Sequence, residues 1–338
     1  FVQCMLCEAK MEVGGNPSMI TIPGQDPHLS LLTKRRNAEE LTDEQLIAIF
    51  LETCSSSRFT HRNYKKAIEM FRAYTSYAPL RDVTWREIEA FKLRLMKEIN
   101  AETGRPYEPA TVAGILSALR SLFRWCCHPQ IGMMKDNPTA NTKNPKVQIT
   151  SAQHYLTKRE LSILFRQLKK QGIRNYALGL SLAMLGLRVS ELVAMKWEDF
   201  HTDPLESSVW LTVKKGKGDK IREIKVPSVL WDILGQYRSS CPKDIMEEGH
   251  RVFPISARWV EKIIGNARDA SELTKKVTPH WLRHTNATLA LLSGASLQQV
   301  QEMLGHSHMN TTQRYLHTVN QLKKTASDYV GEHLKDIL

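Results

Sequence analysis

Between residues 129 and 152 the chain loses the hydrophobic period that runs through most of the remaining sequence. The stretch HPQIGMMKDNPTANTKNPKVQITSAQHY carries three prolines and several Asn and Thr residues, a composition typical of an interdomain linker. The length of 338 residues also exceeds a usual single domain of roughly 100 to 200 residues. We therefore expect two domains, one on each side of this break.

The segment before the linker, residues 41–128, predicts four helices. Thr42, Thr60 and Thr84 each precede a run with apolar residues at helical spacing, and Pro109 suits the first position of the fourth helix. The aromatic residues of these runs are more typical of a core than of a base-stacking surface. Seven basic residues either face DNA or keep the surface soluble: Lys65, Lys66, Arg72, Lys92, Arg94, Arg120 and Arg124.

After the linker the sequence returns to helical spacing, with one interruption. Thr157 precedes a helix, and Gly186 ends the buried run that follows it. In SSVWLTVKKGKGDKIREIKVP, apolar and polar residues alternate on both sides of a glycine-flanked turn, which predicts a β-hairpin with a lysine-rich tip. The expected fold class is mainly α: an N-terminal four-helix domain plus an α-rich domain with a small antiparallel β-sheet.

The charge of the chain indicates a polyanionic partner, most commonly nucleic acid. The formal net charge is +12 and the pI is near 9.4. No run approaches the roughly 18 apolar residues of a membrane span, and the first residues lack the pattern of a signal peptide. Cys4 and Cys7 form the single C-x-x-C among six cysteines, so no zinc site is expected. We expect a cytoplasmic protein with reduced thiols and no membrane partner.

The motif HWLR places His280 and Arg283 three residues apart, on one face of a helix that Pro279 would begin. A helix N-terminus that carries such donors favours a phosphate group. The pair alone is more typical of a capping or core histidine and a surface arginine.

Further along, Gly305 suits a helix C-cap, with His306 just outside the helix. Asn310 then resembles the N-cap of a new helix that contains Tyr315. By itself this tyrosine would most simply be half-buried packing.

Taken together, these residue types suit phosphodiester chemistry. Two guanidinium groups and histidines can hold the non-bridging oxygens of a phosphate without any metal ion. A tyrosine can attack the phosphorus as a nucleophile, and a lysine can protonate the leaving oxygen.

The motifs GLRVSELVAMKW, GKGDKIREIKVP, HWLRHTNATLALLSGASLQQVQEMLGHS and TTQRYLH resemble those of the tyrosine recombinase (phage integrase) family, and the resemblance spans about residues 41–335. It implies six catalytic residues: Arg188 and Arg283 as phosphate-binding arginines, Lys217 as general acid, His280 in proton transfer and hydrogen bonding, His306 as phosphate ligand, and Tyr315 as nucleophile.

Several neighbours of these residues leave alternatives open. The register of the hairpin leaves Lys214, Lys215 and Lys220 as alternatives to Lys217. Glu191 matches an acidic position of the family that would orient the arginines, although helix capping explains it equally well. His284, His308 and His317 match no position of the motif and are interpreted as structural or close to DNA.

The resemblance implies site-specific breakage and rejoining of DNA through a 3′-phosphotyrosine and a Holliday junction, with no cofactor. It implies double-stranded DNA as partner, and a homo-tetramer on two sites or an assembly with a related recombinase subunit. A Xer-like plan fits best: an extension at 1–40, a helical core-binding (SAM-like) domain at 41–128, a linker at 129–153, and a catalytic domain with a C-terminal tail at 154–338.

Three other functions are compatible with parts of this pattern. A type IB topoisomerase uses the same catalytic logic, but the size of the helical domain and the wording of the motifs favour a recombinase. A catalytically silent DNA-binding protein on this fold would share the charge, but the intact set of six residues argues against it. An RNA-binding module lacks support because the chain has no aromatic-rich sheet motif.

Overall fold

The computed structural model describes residues 41–54, 57–100, 104–146, 154–214, 221–242, 249–323, 326–335 and 337. They form two compact units, one within Phe1–Gln148 and the other within Ile149–Leu338. The extension predicted at residues 1–40 and the predicted general acid Lys217 lie outside the described residues. In the described ranges, no helix combines the length and the apolar composition that crossing a membrane requires.

The described part of the first unit contains the four predicted helices and one short hairpin that was not predicted. Thr84 caps its helix in a reciprocal box with Glu87, and Pro109 occupies the first turn of the fourth helix, as expected. The elements are α1 (Asp43–Cys54), α2 (Arg58–Tyr74), α3 (Trp85–Lys97), β1 (Ile99–Asn100), β2 (Arg105–Pro106) and α4 (Pro109–Cys126).

The core of the first unit is built from aromatic and aliphatic side chains of α1–α4. Phe71 packs edge-on against Phe91, with ring centroids 5.2 Å apart. Arg72 is also buried, and its guanidinium pairs with Asp43 at 3.0 Å and Glu44 at 3.1 Å. Arg72 therefore neither faces DNA nor serves as a surface charge, because it ties α1 to α2 inside the domain.

The described part of the predicted linker, residues 129–146, packs on this first unit. Arg120 donates a hydrogen bond to the carbonyl oxygen of Thr142 at 3.1 Å, and Lys92 donates to that of Lys143 at 3.4 Å. Two basic residues that the sequence left open between DNA and solvent therefore hold this segment in place.

In the second unit, other helices pack around a central helix, α6 (Ile173–Leu185). Helix α6 contacts α5, α8 and α10, whose ranges are given below, so most of its side chains are buried. A smaller apolar cluster joins α10, α11 and α12. The elements are α5 (Lys158–Lys170), α6 (Ile173–Leu185), α7 (Val189–Ala194), β3 (Phe200–Thr202), β4 (Val209–Val213), β5 (Arg222–Val226), α8 (Ser228–Ser239), α9 (Ala257–Asp269), α10 (Pro279–Leu292), α11 (Leu297–Leu304), α12 (Met309–Lys323) and α13 (Ala326–Leu334).

The predicted hairpin is present as the antiparallel pair β4 and β5, and a third strand, β3, pairs with the other edge of β4. Leu211 lies opposite Ile224, and both are buried. The pair Val213 and Arg222 closes the described end of the hairpin. The mainly α fold with a small antiparallel sheet is thus confirmed, while β3 was missed because its three residues are too few to show alternation.

Two helix starts differ from the predicted ones. Helix α2 begins at Arg58 rather than after Thr60, because the Ser57 hydroxyl accepts the Thr60 backbone N–H at 3.1 Å and caps the helix earlier. Helix α12 begins at Met309, so Asn310 lies inside its first turn and is not the N-cap. Tyr315 belongs to this helix, as predicted.

Candidate active site

Arg188 is placed by the tight connection between α6 and α7. Gly186 ends α6 in the left-handed conformation, with φ of 59°. The side chain of Asn286 donates to the carbonyl oxygens of Ala183 and Met184 at 2.8 and 2.9 Å, which satisfies the end of α6. Arg188 then becomes the N-cap residue of α7, with its side chain one-third exposed.

Glu191 is the buried centre of the site, with only 1% of its side chain exposed. Its carboxylate accepts hydrogen bonds from Arg188 Nη1 at 2.7 Å and from two nitrogens of Arg222 at 3.0 and 2.8 Å. It also accepts the backbone N–H of Arg188, so Glu191 both caps α7 and orients an arginine. Burial by itself would raise the pKa of Glu191, but the hydrogen bonds and charge of Arg222, aided by Arg188, lower it below the ordinary value.

Arg222 is a member of the site that the sequence reading missed. It is the first residue of β5, and 9% of its side chain is exposed. The sequence did contain an indication of this role. Arg222, Ile224 and Val226 alternate along the strand and so share one face of it, and Ile224 and Val226 face the core. A cation at an inward-facing strand position indicates a buried ion pair.

Arg283 lies on α10 and reaches the same centre, with 3% of its side chain exposed. Its Nη2 donates to the carbonyl oxygen of Leu304 at 2.6 Å, its Nη1 donates to that of Gly186, and Nη1 lies 3.9 Å from a carboxylate oxygen of Glu191. Burial, followed by the charge of Arg188, lowers the pKa of Arg283 to about 10. The group therefore stays cationic at neutral pH.

His306 follows the left-handed C-cap Gly305 directly, as predicted from the sequence. Its Nδ1 lies 2.9 Å from the Thr312 hydroxyl, and its carbonyl oxygen accepts a hydrogen bond from Gln301 at 3.0 Å. Burial and then the charge of Arg283 lower the pKa of His306 to about 4, so the imidazole is neutral at pH 7. Arg188 Nη2 contacts the carbonyl oxygen of Gly305 at 3.4 Å, beside this histidine.

A row of aromatic rings runs from His280 to Tyr315. The ring centroids of His280 and His284 are 4.3 Å apart, and those of His284 and Tyr315 are 5.3 Å apart. His154, at the start of the second unit, stacks on Trp281 at 4.6 Å. Burial and then the charge of Arg283 lower the pKa of His280, while burial and then the charge of His280 lower that of His284 to about 3.

Tyr315 lies in the apolar cluster of α10, α11 and α12, and 8% of the residue is exposed. Of the six predicted site residues, the structure brings Arg188, Arg283, His280, His306 and Tyr315 close enough for their charges to act on one another, whereas Lys217 falls outside the described residues. Lys214, at the described end of β4, forms an ion pair with Asp199 at 2.8 Å, which raises the pKa of Lys214.

The cluster has the electrostatics of an anion site. Three guanidinium groups, those of Arg188, Arg222 and Arg283, surround the single carboxylate of Glu191, so positive charge remains in excess. Within the described ranges, no group of three His, Cys, Asp or Glu side chains is arranged to hold a metal ion. The arrangement can bind a phosphate next to a tyrosine and neutral imidazoles.

Comparison with known families gives two matches along the chain. Residues 154–321 match the profile of the Phage integrase family. Residues 44–132 match the profile described as Phage integrase, N-terminal SAM-like domain. Together the two matches cover most of the chain and include all the predicted site residues.

Similar proteins point the same way. The tyrosine recombinase of Pseudothermotoga lettingae is 32% identical over 248 residues, which covers 72% of this chain and 81% of that protein. The tyrosine recombinase XerC of Bacillus licheniformis is 30% identical over 296 residues, covering 82% of this chain and 91% of that protein. Among solved structures, a lambda integrase tetramer bound to a Holliday junction shares the fold, with a TM-score of 0.61, 22% identity, and coverage of 86% of this chain and 83% of that one.

Proposed function

The chain belongs to the phage integrase family of tyrosine recombinases, and from this premise we propose how its residues carry out site-specific recombination of DNA. In our proposal Tyr315 attacks a scissile phosphate, a bond forms between its oxygen and the 3′-phosphate, and the bond to the 5′-oxygen breaks. The 5′-hydroxyl of a partner strand then attacks the phosphotyrosine and releases Tyr315. Two such exchanges pass through a Holliday junction and join the DNA in a new order.

The observation that carries this proposal is the cluster of guanidinium groups around Glu191, next to His306 and the His280 to Tyr315 row. A phosphodiester gains negative charge on its non-bridging oxygens as the nucleophile approaches. We assign Arg188 and Arg283 to those oxygens, because cations fixed in place before reaction stabilise that charge without reorganisation.

Proton transfer completes the proposed mechanism. Because burial lowers the pKa values of His280 and His306, both imidazoles are neutral at pH 7 and can accept a proton or a hydrogen bond. The 5′-oxygen needs a proton as it leaves, and we assign this role to Lys217. Among the alternative lysines of the hairpin, Lys214 is the described one, and its ammonium group is already paired with Asp199. This pairing favours Lys217 over Lys214 as the general acid.

The proposed reaction conserves the energy of the phosphodiester bond in the phosphotyrosine link. Transfer of that bond to another hydroxyl group therefore requires neither nucleotide hydrolysis nor a metal cofactor. This balance explains why one active site can both cleave and rejoin.

We propose double-stranded DNA as the partner, bound by the helical domain at 41–128 and by the catalytic domain at 154–338; of the linker predicted at 129–153, the described part packs on the helical domain. The net charge of +12 supports binding to DNA. The similarity to a lambda integrase that forms a tetramer on a Holliday junction supports four copies acting on two sites. A related recombinase subunit could replace some of these copies. We place the reaction in the cytoplasm, where such DNA and free thiols coexist.

The test uses a duplex core site that the protein has itself selected by binding from a random-sequence library. A nick near the scissile phosphate lets the short cleaved fragment diffuse away, so that the covalent intermediate accumulates. We expect a protein–DNA band on a denaturing gel with the wild-type chain and none with Tyr315→Phe. Binding of this DNA by the wild-type chain without any covalent band would refute the proposal.

A further inference from the structure

Arg222 makes more polar contacts inside the second unit than its place in a short strand would require. Two of its nitrogens bind the two carboxylate oxygens of Glu191 at 3.0 and 2.8 Å. Its third donor, Nε, reaches the carbonyl oxygen of Met303 at 2.8 Å. All three of its guanidinium nitrogens therefore donate within the protein, two of them to the charged oxygens of Glu191.

These contacts join three segments that carry proposed catalytic residues or their supports. Glu191 belongs to α7 and holds Arg188 through Nη1. Met303 belongs to the last turn of α11, two residues before Gly305 and three before His306. Arg222 thus links the helix that presents the first arginine to the helix end that presents a histidine.

The fit is close on the side of Gly305. A Cβ atom at this position would lie 3.0 Å from both Cδ and Nη1 of Arg222, so the arginine would have to move by a few tenths of an ångström. The glycine therefore admits the arginine as well as supplying the left-handed cap. The guanidinium of Arg222 occupies a place shaped for it between α7 and α11.

The charge arrangement explains what Arg222 adds to the reaction. Without Arg222, the buried carboxylate of Glu191 would draw the guanidinium groups of Arg188 and Arg283 more strongly toward itself. Arg222 pairs with Glu191 in the bidentate geometry that suits a carboxylate. Arg188, with one-third of its side chain exposed, then keeps positive charge directed to a ligand.

Resting on the proposed function, we infer that Arg222 is a positioning residue, which neutralises Glu191 and fixes Arg188 and the His306 segment for the non-bridging oxygens of the scissile phosphate. It touches neither the DNA nor Tyr315 in this role. The inference differs from simple stabilisation of the fold. It requires that the decrease in cleavage rate caused by replacing Arg222 be larger for a charged scissile phosphate than for a neutral one.

The experiment compares cleavage of two otherwise identical selected duplexes at saturating protein. One carries the normal scissile phosphodiester, and the other carries a methylphosphonate, in which a methyl group replaces one charged non-bridging oxygen. We expect Arg222→Met to slow phosphodiester cleavage about 100-fold, in line with the loss of one preorganised donor. On the neutral methylphosphonate we expect a loss below about 10-fold, since little charge then needs to be stabilised.

Two further variants and a control make the result specific. Arg222→Lys restores one cation and should recover part of the phosphodiester rate. Adding Glu191→Gln to Arg222→Met removes the uncompensated buried charge, so this pair should remain folded even if Arg222→Met alone does not. Lys225→Met, at an exposed cation of the same strand, should leave the rates on both substrates unchanged.

Equal losses on the two substrates in Arg222→Met, or in Arg222→Lys if Arg222→Met does not fold, would overturn the positioning role and leave a structural one. Unchanged cleavage of the phosphodiester would also overturn it. Wild-type protein and Tyr315→Phe are assayed alongside. If the wild-type protein forms no covalent complex, the recombinase mechanism fails together with this inference. If the wild-type protein cleaves DNA, the ratio of the rate losses of Arg222→Met on the two substrates tests the role of Arg222 alone.

Discussion

At the scale of single residues, the site depends on how burial changes protonation. Glu191 is buried but remains ionised because its arginine partners outweigh the cost of desolvation. The histidines show the opposite balance, since they are buried beside cations and lose their protons. The same environment therefore yields a charged carboxylate, charged guanidinium groups and neutral imidazoles at neutral pH.

This balance predicts that the second unit loses stability in acid. The pKa of His284 is lowered to about 3 and that of His306 to about 4, both from 6.5. Below pH 6.5 the unfolded chain binds protons that the folded chain does not, so the free energy of unfolding falls as the pH decreases from about 6.5 toward 3. Above pH 6.5 this contribution is fully present.

The variant that tests this is His284→Phe, which keeps a ring between His280 and Tyr315. Unfolding of the variant should take up about one proton fewer between pH 4 and 6. The slope of the unfolding free energy against pH should therefore be smaller by about 1.4 kcal/mol per pH unit in this range. Urea unfolding of the full chain at several pH values measures this slope. Identical slopes for the variant and the wild-type chain would contradict the burial of a neutral His284.

At the scale of elements, the ends of helices position the chemistry. Gly186 ends α6 just before Arg188, and Gly305 ends α11 just before His306; both have left-handed backbone conformations. Turns of this kind bring functional side chains to helix ends, where free backbone groups and dipoles are available. The hairpin adds a third contribution through Arg222 at its base.

We predict that Gly305→Ala impairs cleavage beyond its effect on stability. The left-handed φ of 64° costs an alanine about 1 kcal/mol or more, and the added Cβ must displace Arg222. Cleavage at saturating DNA should fall at least about 10-fold, on the scale of a misplaced catalytic group.

Gly294→Ala is the matched control for this variant. Gly294 also has a positive φ, of 100°, but no atom lies within 4 Å of the position that a Cβ would take. It should lose stability while retaining cleavage under conditions where both variants are folded, as checked by thermal unfolding. Equal cleavage by the two alanine variants would show that the contact with Arg222 is unimportant.

At the scale of the whole molecule, the most exposed apolar surface of the described C-terminal region lies on α13 and just beyond it. Tyr329 is 61% exposed, Val330 56%, Leu334 40% and Ile337 77%. Exposed apolar groups on one short helix are typical of a surface that another chain covers. A neighbouring copy on DNA is the partner that the proposed tetramer supplies.

Assembly of several copies on DNA should depend on the exposed apolar residues of α13. Val330→Ser combined with Leu334→Ser should leave binding of one copy to a half-site within about threefold of wild type, because neither side chain carries a charge or donor that could bind a phosphate. Formation of complexes with several copies should need at least about tenfold more protein, since removal of two apolar anchors costs more than about 1.4 kcal/mol. Native gels with half-site and full-site duplexes separate the two effects.

Lys335→Ser, at an exposed polar position next to the same helix, serves as the control. It should leave assembly on the full site unchanged. If the double variant also assembles at the wild-type concentration, the exposed residues of α13 have no role between copies.

The sequence by itself determined the helical first domain, the β-hairpin and most helix boundaries, because caps, prolines and hydrophobic period act locally along the chain. It also supplied the residue types of the site through their motifs. The tertiary structure alone decided that Arg222, 31 residues after Glu191, binds its carboxylate, and that Arg72 is a buried ion-pair partner. Such pairings depend on which elements pack together, and only the folded backbone sets the distances and burial that fix charge and protonation.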